Sequence, residues 1–459
     1  MGDMKVGVDP IVALRETVSG QVIGPGDEGY ETGRRGFFSF VDRRPAAIVR
    51  PVDAGDVARV VLLAREMDLE LAVRSGGHSM AGHSSTEGGI LLDLSSLDSI
   101  DIDVGRRTAW VGGGVTAGAI TKAAGEHGLA LGLGDTASVG IGGITLGGGI
   151  GFLHRKLGLT IDQLLAAEVV TADGSHVRAD ETTNPDLFWA IRGGGGNFGV
   201  VTRFQFRLSE VPDAVGGPII LPATPGTVAG AIRAASDAPE ELSGMILVMR
   251  APPMPMLPPE VHGTFIVMVM LVYAGDAESG ARALAPFRAL AKPIADMAHP
   301  MKYSTIYDGP EGPHPAAMAF RNFFTDDVDL PAAEFLLEQL NRSTAPMCVA
   351  QFRVMGGAVA RVPADATAFA HRARRMMVNV AAMFETPEAR TEQQAWVDET
   401  AARLHNGDSG AYVGFMAEES PERVREAYPG DTWARLSRIK KRYDPDNLFR
   451  LNQNVTPAE

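Results

Sequence analysis

The spacing of apolar residues predicts alternating strands and helices over the first part of the chain. Residues 46–50 and 71–73 are short apolar runs, which are typical of buried strands. Between them, apolar side chains recur at helical intervals within residues 53–68, and Asp53 and Asp56 stand at the favourable start of that helix. The same reasoning predicts strands at 90–94, 108–111, 164–171 and 200–208, and helices at 116–127 and 184–192, the last capped by Asn184.

The pattern changes near Pro212, where glycine becomes rarer and methionine and proline more frequent. Strands are predicted at 244–250, 263–274 and 348–355, helices at 278–290 and 329–341, and a helix over 421–443. We therefore expect an α+β chain in three parts. These are residues 1–211, a second domain over 212–410 with a sheet flanked by helices, and a C-terminal segment over 411–459.

Composition and charge narrow the class of protein. The 459 residues carry a formal net charge of −14, which argues against a nucleic-acid partner and against an anionic membrane surface. The sequence shows no apolar run long enough to span a membrane and no apolar leader at its start. Cys348, the single cysteine, lies in an apolar run and is expected to be a buried, inert thiol. We expect a cytoplasmic protein.

Two glycine-rich stretches predict a ligand held by the backbone. In the first, the strand at 71–73 runs into Gly76 and Gly77, which permit a sharp turn whose N–H groups can cradle a phosphate. His78 follows and is a nucleophile; the alternative is a tight turn with an exposed histidine. The second stretch, residues 132–151, is expected to form neither a helix nor a regular strand. It is not a Rossmann fingerprint, since Thr145 occupies the place of the third glycine.

Taken together with residues 194–201 and 443–454, these stretches resemble the berberine-bridge-enzyme-like oxidases of the vanillyl-alcohol oxidase/p-cresol methylhydroxylase superfamily. The likeness runs from about Ala46 to Pro457. It implies an FAD-binding domain of two subdomains over 1–211, a substrate-binding domain with an antiparallel sheet over 212–410, and a C-terminal segment that returns to the flavin. It also implies that residues 74–78 hold the diphosphate and that His78 is bonded covalently to the flavin.

The resemblance also implies which residues contact the cofactor. No metal site is expected. The positions expected to contact FAD are Arg74, Ser75, Gly76, Gly77, His78, Ser79, Thr136, Val139, Gly140, Gly142, Gly143, Gly147, Gly148, Gly149, Gly199, Val200, Val201, Asn452 and Asn454.

Three positions bear on how far the family pattern applies. Thr136 stands where many relatives have a second flavin-linking cysteine, so we expect a single link, through His78. Gly414 replaces an asparagine of the Tyr-Val-Asn pattern, which is expected to leave more room near the substrate. Val139 aligns with the family's gate position, where a small residue leaves dioxygen a path to the flavin and so favours an oxidase.

The catalytic residues are less clearly marked. Gln351 and Arg353 share one face of a predicted strand with Met355, and that strand offers no carboxylate base. Tyr412 is the best phenol candidate, followed by Tyr303 and Tyr307, with Arg321 a further weak guess. Methionines of the second domain suggest an apolar, adaptable substrate wall.

We therefore expect an FAD-dependent oxidase acting on a small, moderately apolar alcohol or amine, with dioxygen reoxidising the flavin, in a monomer or homodimer. Two alternatives stay open. One is a dehydrogenase or oxidative cyclase that uses another acceptor. The other is a non-catalytic, flavin-carrying protein that binds a ligand.

Overall fold

A computed structural model describes residues 9–308, 317–405, 410–417 and 420–459. The strands are β1 Gln21–Ile23, β2 Ala47–Arg50, β3 Leu71–Arg74, β4 Ile90–Asp93, β5 Ile100–Asp103, β6 Thr108–Gly112, β7 Leu129–Ala130, β8 Leu164–Val170, β9 His176–Asp180, β10 Val200–Arg207, β11 Ser209–Glu210, β12 Asp213–Pro222, β13 Leu242–Arg250, β14 Phe265–Tyr273, β15 Ala295–Asp296, β16 His299–Lys302, β17 Ala317–Thr325, β18 Met347–Val354 and β19 Met376–Phe384. The helices are α1 Pro10–Thr17, α2 Tyr30–Gly33, α3 Ala54–Glu66, α4 Ala117–Gly125, α5 Ile141–Gly147, α6 His154–Leu157, α7 Pro185–Ala190, α8 Pro225–Asp237, α9 Ala277–Arg288, α10 Leu330–Arg342, α11 Ala358–Arg361, α12 Arg390–Leu404, α13 Pro421–Glu426 and α14 Thr432–Tyr443.

The N-terminal part of the chain builds two main sheets. In the first, β1, β2, β4 and β3 lie side by side in that order, and β4 runs parallel to both β2 and β3. Asp53 caps the N-terminus of helix α3, since its carboxylate accepts a hydrogen bond from the Asp56 N–H. The apolar side of this helix packs on the sheet. The second sheet, in the order β5, β6, β10, β8, β9, is antiparallel.

A large antiparallel sheet follows, in the order β15, β12, β14, β13, β18, β19, β17, with β16 beside β12. Helices α8, α9, α10 and α12 bury their apolar sides against one face of it. The opposite face carries Met249, Met268 and Met270, with Met254 of the following loop packed on it. The α+β class is therefore confirmed, as is the expected antiparallel sheet.

Three local predictions need correction. The stretch 132–151 does contain a helix, α5, because Ile141 and Thr145 are buried and neighbouring segments hold the helix in place. The helix predicted over 421–443 is interrupted between α13 and α14, where Pro429 and Gly430 form a turn and Gly430 takes a positive φ. Asn184 precedes α7, but its side chain gives no cap and instead donates to the Arg178 carbonyl. Among the described residues, no helix is long and apolar enough to cross a membrane.

Candidate functional site

The two glycine-rich stretches lie directly against each other. A Cβ atom on Gly76 would stand 2.1 Å from the Gly140 nitrogen, and one on Gly140 would stand 2.1 Å from the Gly76 nitrogen. The Ser75 hydroxyl donates to the Gly113 carbonyl at 2.6 Å and accepts from the Gly142 N–H at 3.2 Å. Glycine at both positions therefore lets two backbones meet and form one continuous surface.

His78 lies where these two stretches meet. Its Nε2 is 2.8 Å from the Ser138 hydroxyl, and its ring stacks on Phe37 with centroids 3.9 Å apart. The imidazole is therefore held on two sides while remaining partly exposed. Sequence reasoning missed Phe37, which lies in a separate loop ahead of β2.

The side chains of Arg74 and Ser79 are occupied within the protein. The buried Arg74 guanidinium contacts the Asp93 carboxylate at 3.3 Å and donates to the backbone carbonyls of Arg35, at 2.9 Å, and Gly33. Burial lowers the pKa of Arg74, and Asp93 counteracts that shift. The Ser79 hydroxyl accepts from the His83 N–H at 3.1 Å. Any cofactor contact by Arg74 would thus come from its backbone, whereas the Ser79 hydroxyl still has its proton to donate.

The C-terminal segment is held by a fully buried ion pair. The Lys440 ammonium contacts the Asp444 carboxylate at 2.5 Å and also donates to the carbonyls of Asn197 and Phe449 at 2.8 and 2.9 Å. Asp444 in turn accepts from the N–H groups of Leu448 and Phe449, both at 2.8 Å. This network folds the segment sharply back after α14.

Asn197 then fixes the end of that segment beside the glycine loop 193–199. Its amide donates to the Gln453 carbonyl at 3.2 Å, and its side-chain oxygen accepts from the Val455 N–H at 2.9 Å. Asn452 and Asn454 are thereby placed with side-chain oxygens that are buried and have no hydrogen-bond partner among the described residues.

These features fit FAD. Above Gly143 there is open space for at least 4 Å around a built Cβ, although neighbouring glycines of the stretch are tightly packed. The orphaned oxygens of Asn452 and Asn454 require donors, since buried polar groups are nearly always hydrogen-bonded. Gly77 has a positive φ, a backbone conformation that lets successive N–H groups form a concave nest for a diphosphate. At the entry of β10, Gly199 has a positive φ, and Val200 and Val201 are buried.

Tyr412 connects the second glycine stretch to the large sheet. Its buried hydroxyl accepts from the Gly149 N–H at 2.9 Å, and its backbone N–H donates to the Asn322 side chain at 2.7 Å. Burial raises the pKa of Tyr412, so the phenol stays protonated at neutral pH.

Gly414 does not leave the room that the sequence suggested. A Cβ there would stand 2.8 to 2.9 Å from atoms of the Tyr412 ring and hydroxyl. The space that a larger residue would take is filled by that ring, which also makes an edge contact with Phe415.

A polar cluster with a carboxylate lies on the face of the large sheet opposite the helices. Gln351 and Arg353 share this face, as their alternation predicted, and the Arg353 guanidinium donates to the Gln351 oxygen at 2.6 Å. Asn379 of β19 donates to the same oxygen at 2.8 Å. Arg353 also pairs with Asp135, which reaches it from the glycine-rich stretch. Sequence reasoning found no carboxylate because Asp135 lies far from β18 in the chain.

The three weaker candidates for catalytic residues lie in different parts of the fold. The Tyr307 hydroxyl donates to the Gly134 carbonyl at 2.8 Å, which places it next to Asp135, and burial raises its pKa. Tyr303 is buried in an apolar cluster. Arg321 pairs with Asp398 at 2.6 Å on the helix-covered face of the sheet, away from Tyr412. Cys348 is buried, and its burial raises the pKa of the thiol.

Comparison with known proteins agrees with this site. Residues 45–180 match the family model described as an FAD binding domain, and residues 411–456 match the one described as berberine and berberine like. Over 461 aligned residues the chain is 31% identical to (R)-6-hydroxynicotine oxidase of Paenarthrobacter nicotinovorans, covering 96% of this chain and 97% of that protein. This chain belongs to the berberine-bridge-enzyme-like family. It is an FAD-linked oxidoreductase of the vanillyl-alcohol oxidase superfamily.

Two solved structures share the fold over nearly the whole chain. The crystal structure of 6-hydroxy-D-nicotine oxidase from Arthrobacter nicotinovorans superposes with a TM-score of 0.85 at 28% identity, covering 96% of this chain and 98% of that one. A glucooligosaccharide oxidase of Acremonium strictum, whose structure is described as revealing a novel flavinylation, gives a TM-score of 0.84 at 25% identity, covering 99% and 100%.

Proposed function

We propose that this protein is an FAD-dependent oxidase that removes a hydride from a C–H beside the hydroxyl or amine of a small, moderately apolar metabolite. Bound FAD supplies the redox chemistry by accepting the hydride and passing the electrons to dioxygen, which becomes hydrogen peroxide. The observation that carries the proposal is the Tyr412–Gly149 hydrogen bond. It ties the glycine surface that fits FAD to the Tyr412 ring, which makes an edge contact with Phe415, and the Arg353 guanidinium of the polar cluster lies over Phe415.

The residues around this junction can position a substrate. Tyr412 is neutral, and its oxygen accepts a hydrogen bond from the Gly149 N–H. The phenol proton can therefore be donated in a hydrogen bond to a substrate. It therefore fits the task of orienting a substrate oxygen or nitrogen better than that of a base. Phe415 and the methionine-bearing sheet face supply apolar contact area.

We further propose that His78 carries the single covalent link to FAD. The imidazole lies at the meeting point of the two glycine stretches and is held by Ser138 and Phe37. Thr136 occupies the place of the second linking cysteine, and Cys348 lies on the helix-covered face of the large sheet. Val139, partly exposed on the same stretch, supports dioxygen as the acceptor.

The test is acid denaturation of the purified protein and of its His78→Ala variant. We expect the yellow colour to stay with the wild-type polypeptide and to leave the variant. His83→Ala is the matched control, because His83 lies in the same loop, and it should retain the colour. Colour released from the wild type would contradict the covalent link, and a well-folded preparation without flavin would contradict the proposed function.

The acceptor is tested separately. We expect a substrate alcohol or amine to bleach the flavin without oxygen and to yield peroxide in air. Bleaching without peroxide would indicate a dehydrogenase or oxidative cyclase. Tight ligand binding without bleaching would indicate a non-catalytic, flavin-carrying protein.

A further inference from the structure

The polar cluster on the large sheet is close to electrically neutral. Arg353 supplies its positive charge and Asp135 its negative charge, and the two form an ion pair. The Arg353 side chain is 4% exposed, whereas the Asp135 side chain is 20% exposed. The carboxylate, rather than the guanidinium, is therefore the charged group that a small molecule can reach.

Both terminal nitrogens of the nearly buried Arg353 guanidinium are already engaged. One terminal nitrogen donates to the Gln351 oxygen at 2.6 Å, and the other donates to Asp135 and lies 3.8 Å from the Met245 sulfur. The guanidinium also lies over the Phe415 ring, 4.7 Å from its centroid. An incoming carboxylate would therefore compete with Asp135 and Gln351 for the terminal nitrogens of this arginine.

The cluster still contains hydrogen-bond acceptors whose capacity is not fully used. Asp135 accepts from Arg353 through one oxygen and from the Thr136 hydroxyl, at 3.0 Å, through the other. A carboxylate has about four lone-pair sites, so part of its accepting capacity is left. In the same cluster, the Asn379 side-chain oxygen is buried without a partner among the described residues.

We propose that Asp135 is a substrate-binding residue that selects molecules carrying a hydrogen-bond donor, namely amines and alcohols, and that it excludes carboxylates by keeping Arg353 paired. This deepens the proposed function, on which it rests. Asp135 holds the N–H or O–H of the substrate, Asn379 offers a second acceptor, and Arg353 is the positioning residue that fixes the carboxylate.

The test compares three probes of one shape: benzylamine, benzyl alcohol and benzoate. Dissociation constants are measured by equilibrium dialysis on the purified, flavin-containing protein. We expect the wild type to bind benzylamine and benzyl alcohol in preference to benzoate. In Asp135→Asn, benzylamine should bind about tenfold or more weakly, the size of a lost hydrogen bond to a charged group. Benzoate should bind about tenfold more tightly, because Arg353 is then unpaired.

Two further variants make the result specific. Asp135→Asn combined with Arg353→Gln removes both charges and should lose the gain in benzoate binding. Asp398→Asn removes the partner of Arg321 on the opposite face of the same sheet and should leave all three constants unchanged. Unchanged probe selectivity in Asp135→Asn would overturn the inference, as would wild-type preference for benzoate.

Failure of the proposed function would look different. Peroxide formation and anaerobic bleaching test the oxidase, whereas the ratio of the benzylamine and benzoate constants tests Asp135. Benzylamine that binds selectively would support Asp135 as the residue that holds the amine, whether or not it bleaches the flavin.

Discussion

At the scale of single residues, Lys440 shows how a buried charge can define a backbone path. Its ammonium and the Asp444 carboxylate are both fully buried, and Asp444 uses its other contacts to hold the next turn of the chain. Replacing Lys440 with methionine would leave Asp444 buried without its counter-charge. We expect the free energy of unfolding to fall by about 3–5 kcal/mol, measured by urea titration.

The control for this prediction is a second ion pair on the same segment. Arg65 contacts Asp446 at 2.9 Å, but both side chains are about half exposed. Arg65→Met should therefore cost no more than about 1 kcal/mol. Equal losses in the two variants would contradict the view that burial, and not the attachment of the segment, makes Lys440 important.

At the scale of elements, two substitutions in the second glycine stretch should separate an effect on protein stability from an effect on cofactor binding. Gly140→Ala would place a methyl group 2.1 Å from the Gly76 backbone, so the stretches could no longer meet. Gly143→Ala would meet no atom within 4 Å. We expect Gly140→Ala to lower the melting temperature of the flavin-free protein, and Gly143→Ala to leave that temperature unchanged while weakening FAD binding.

The matched control is Gly226→Ala near the start of α8, where the nearest atom to a new Cβ is the Thr224 hydroxyl at 3.7 Å. It should change neither the melting temperature nor FAD binding, as followed by titrating FAD into the flavin-free protein. A Gly143→Ala protein that binds FAD as the wild type does would contradict the assignment of the open space to the cofactor.

The elements also show what the sequence could predict. Periodic segments such as α3 and β18 were predicted because each repeats its apolar side chains at a regular interval. Helix α5 was missed because several of its positions are glycines, some of which lie close to Ser75 and Val413 in the fold. Glycines contribute no apolar side chains, so the segment shows no helical periodicity. The cofactor loop was marked by consecutive residues, whereas Asp135 and Arg353 meet only through the fold, so no local pattern joined them.

At the scale of the whole molecule, the site exists where the large sheet and its loops dock on the glycine-rich region. Buried Arg155 of α6 donates to the carbonyls of Ala235, Leu242 and Ala238, the last at 2.9 Å. Arg372 forms two hydrogen bonds with Asp162, at 2.7 and 2.8 Å, and is 2% exposed. The Arg372 guanidinium also lies over the Phe369 ring, 5.3 Å from its centroid, and Phe369 makes an edge contact with Tyr412, with ring centroids 6.1 Å apart.

Breaking the Arg372–Asp162 pair should therefore weaken the packing of the large sheet and its loops on the glycine-rich region. It should also disturb the candidate site around Tyr412. Arg372→Gln leaves the largely buried Asp162 carboxylate without its charged partner, and we expect a loss of about 3–5 kcal/mol in urea. Arg374, two residues further along the chain, pairs with Asp326, and this pair is more exposed, so Arg374→Gln should cost about 1 kcal/mol or less.

Because Phe369 lies between Arg372 and Tyr412, Arg372→Gln should also expose the chain near Phe369 to limited proteolysis, and Arg374→Gln should not. Equal protection in both variants would mean that apolar packing holds the sheet in place without the ion pair.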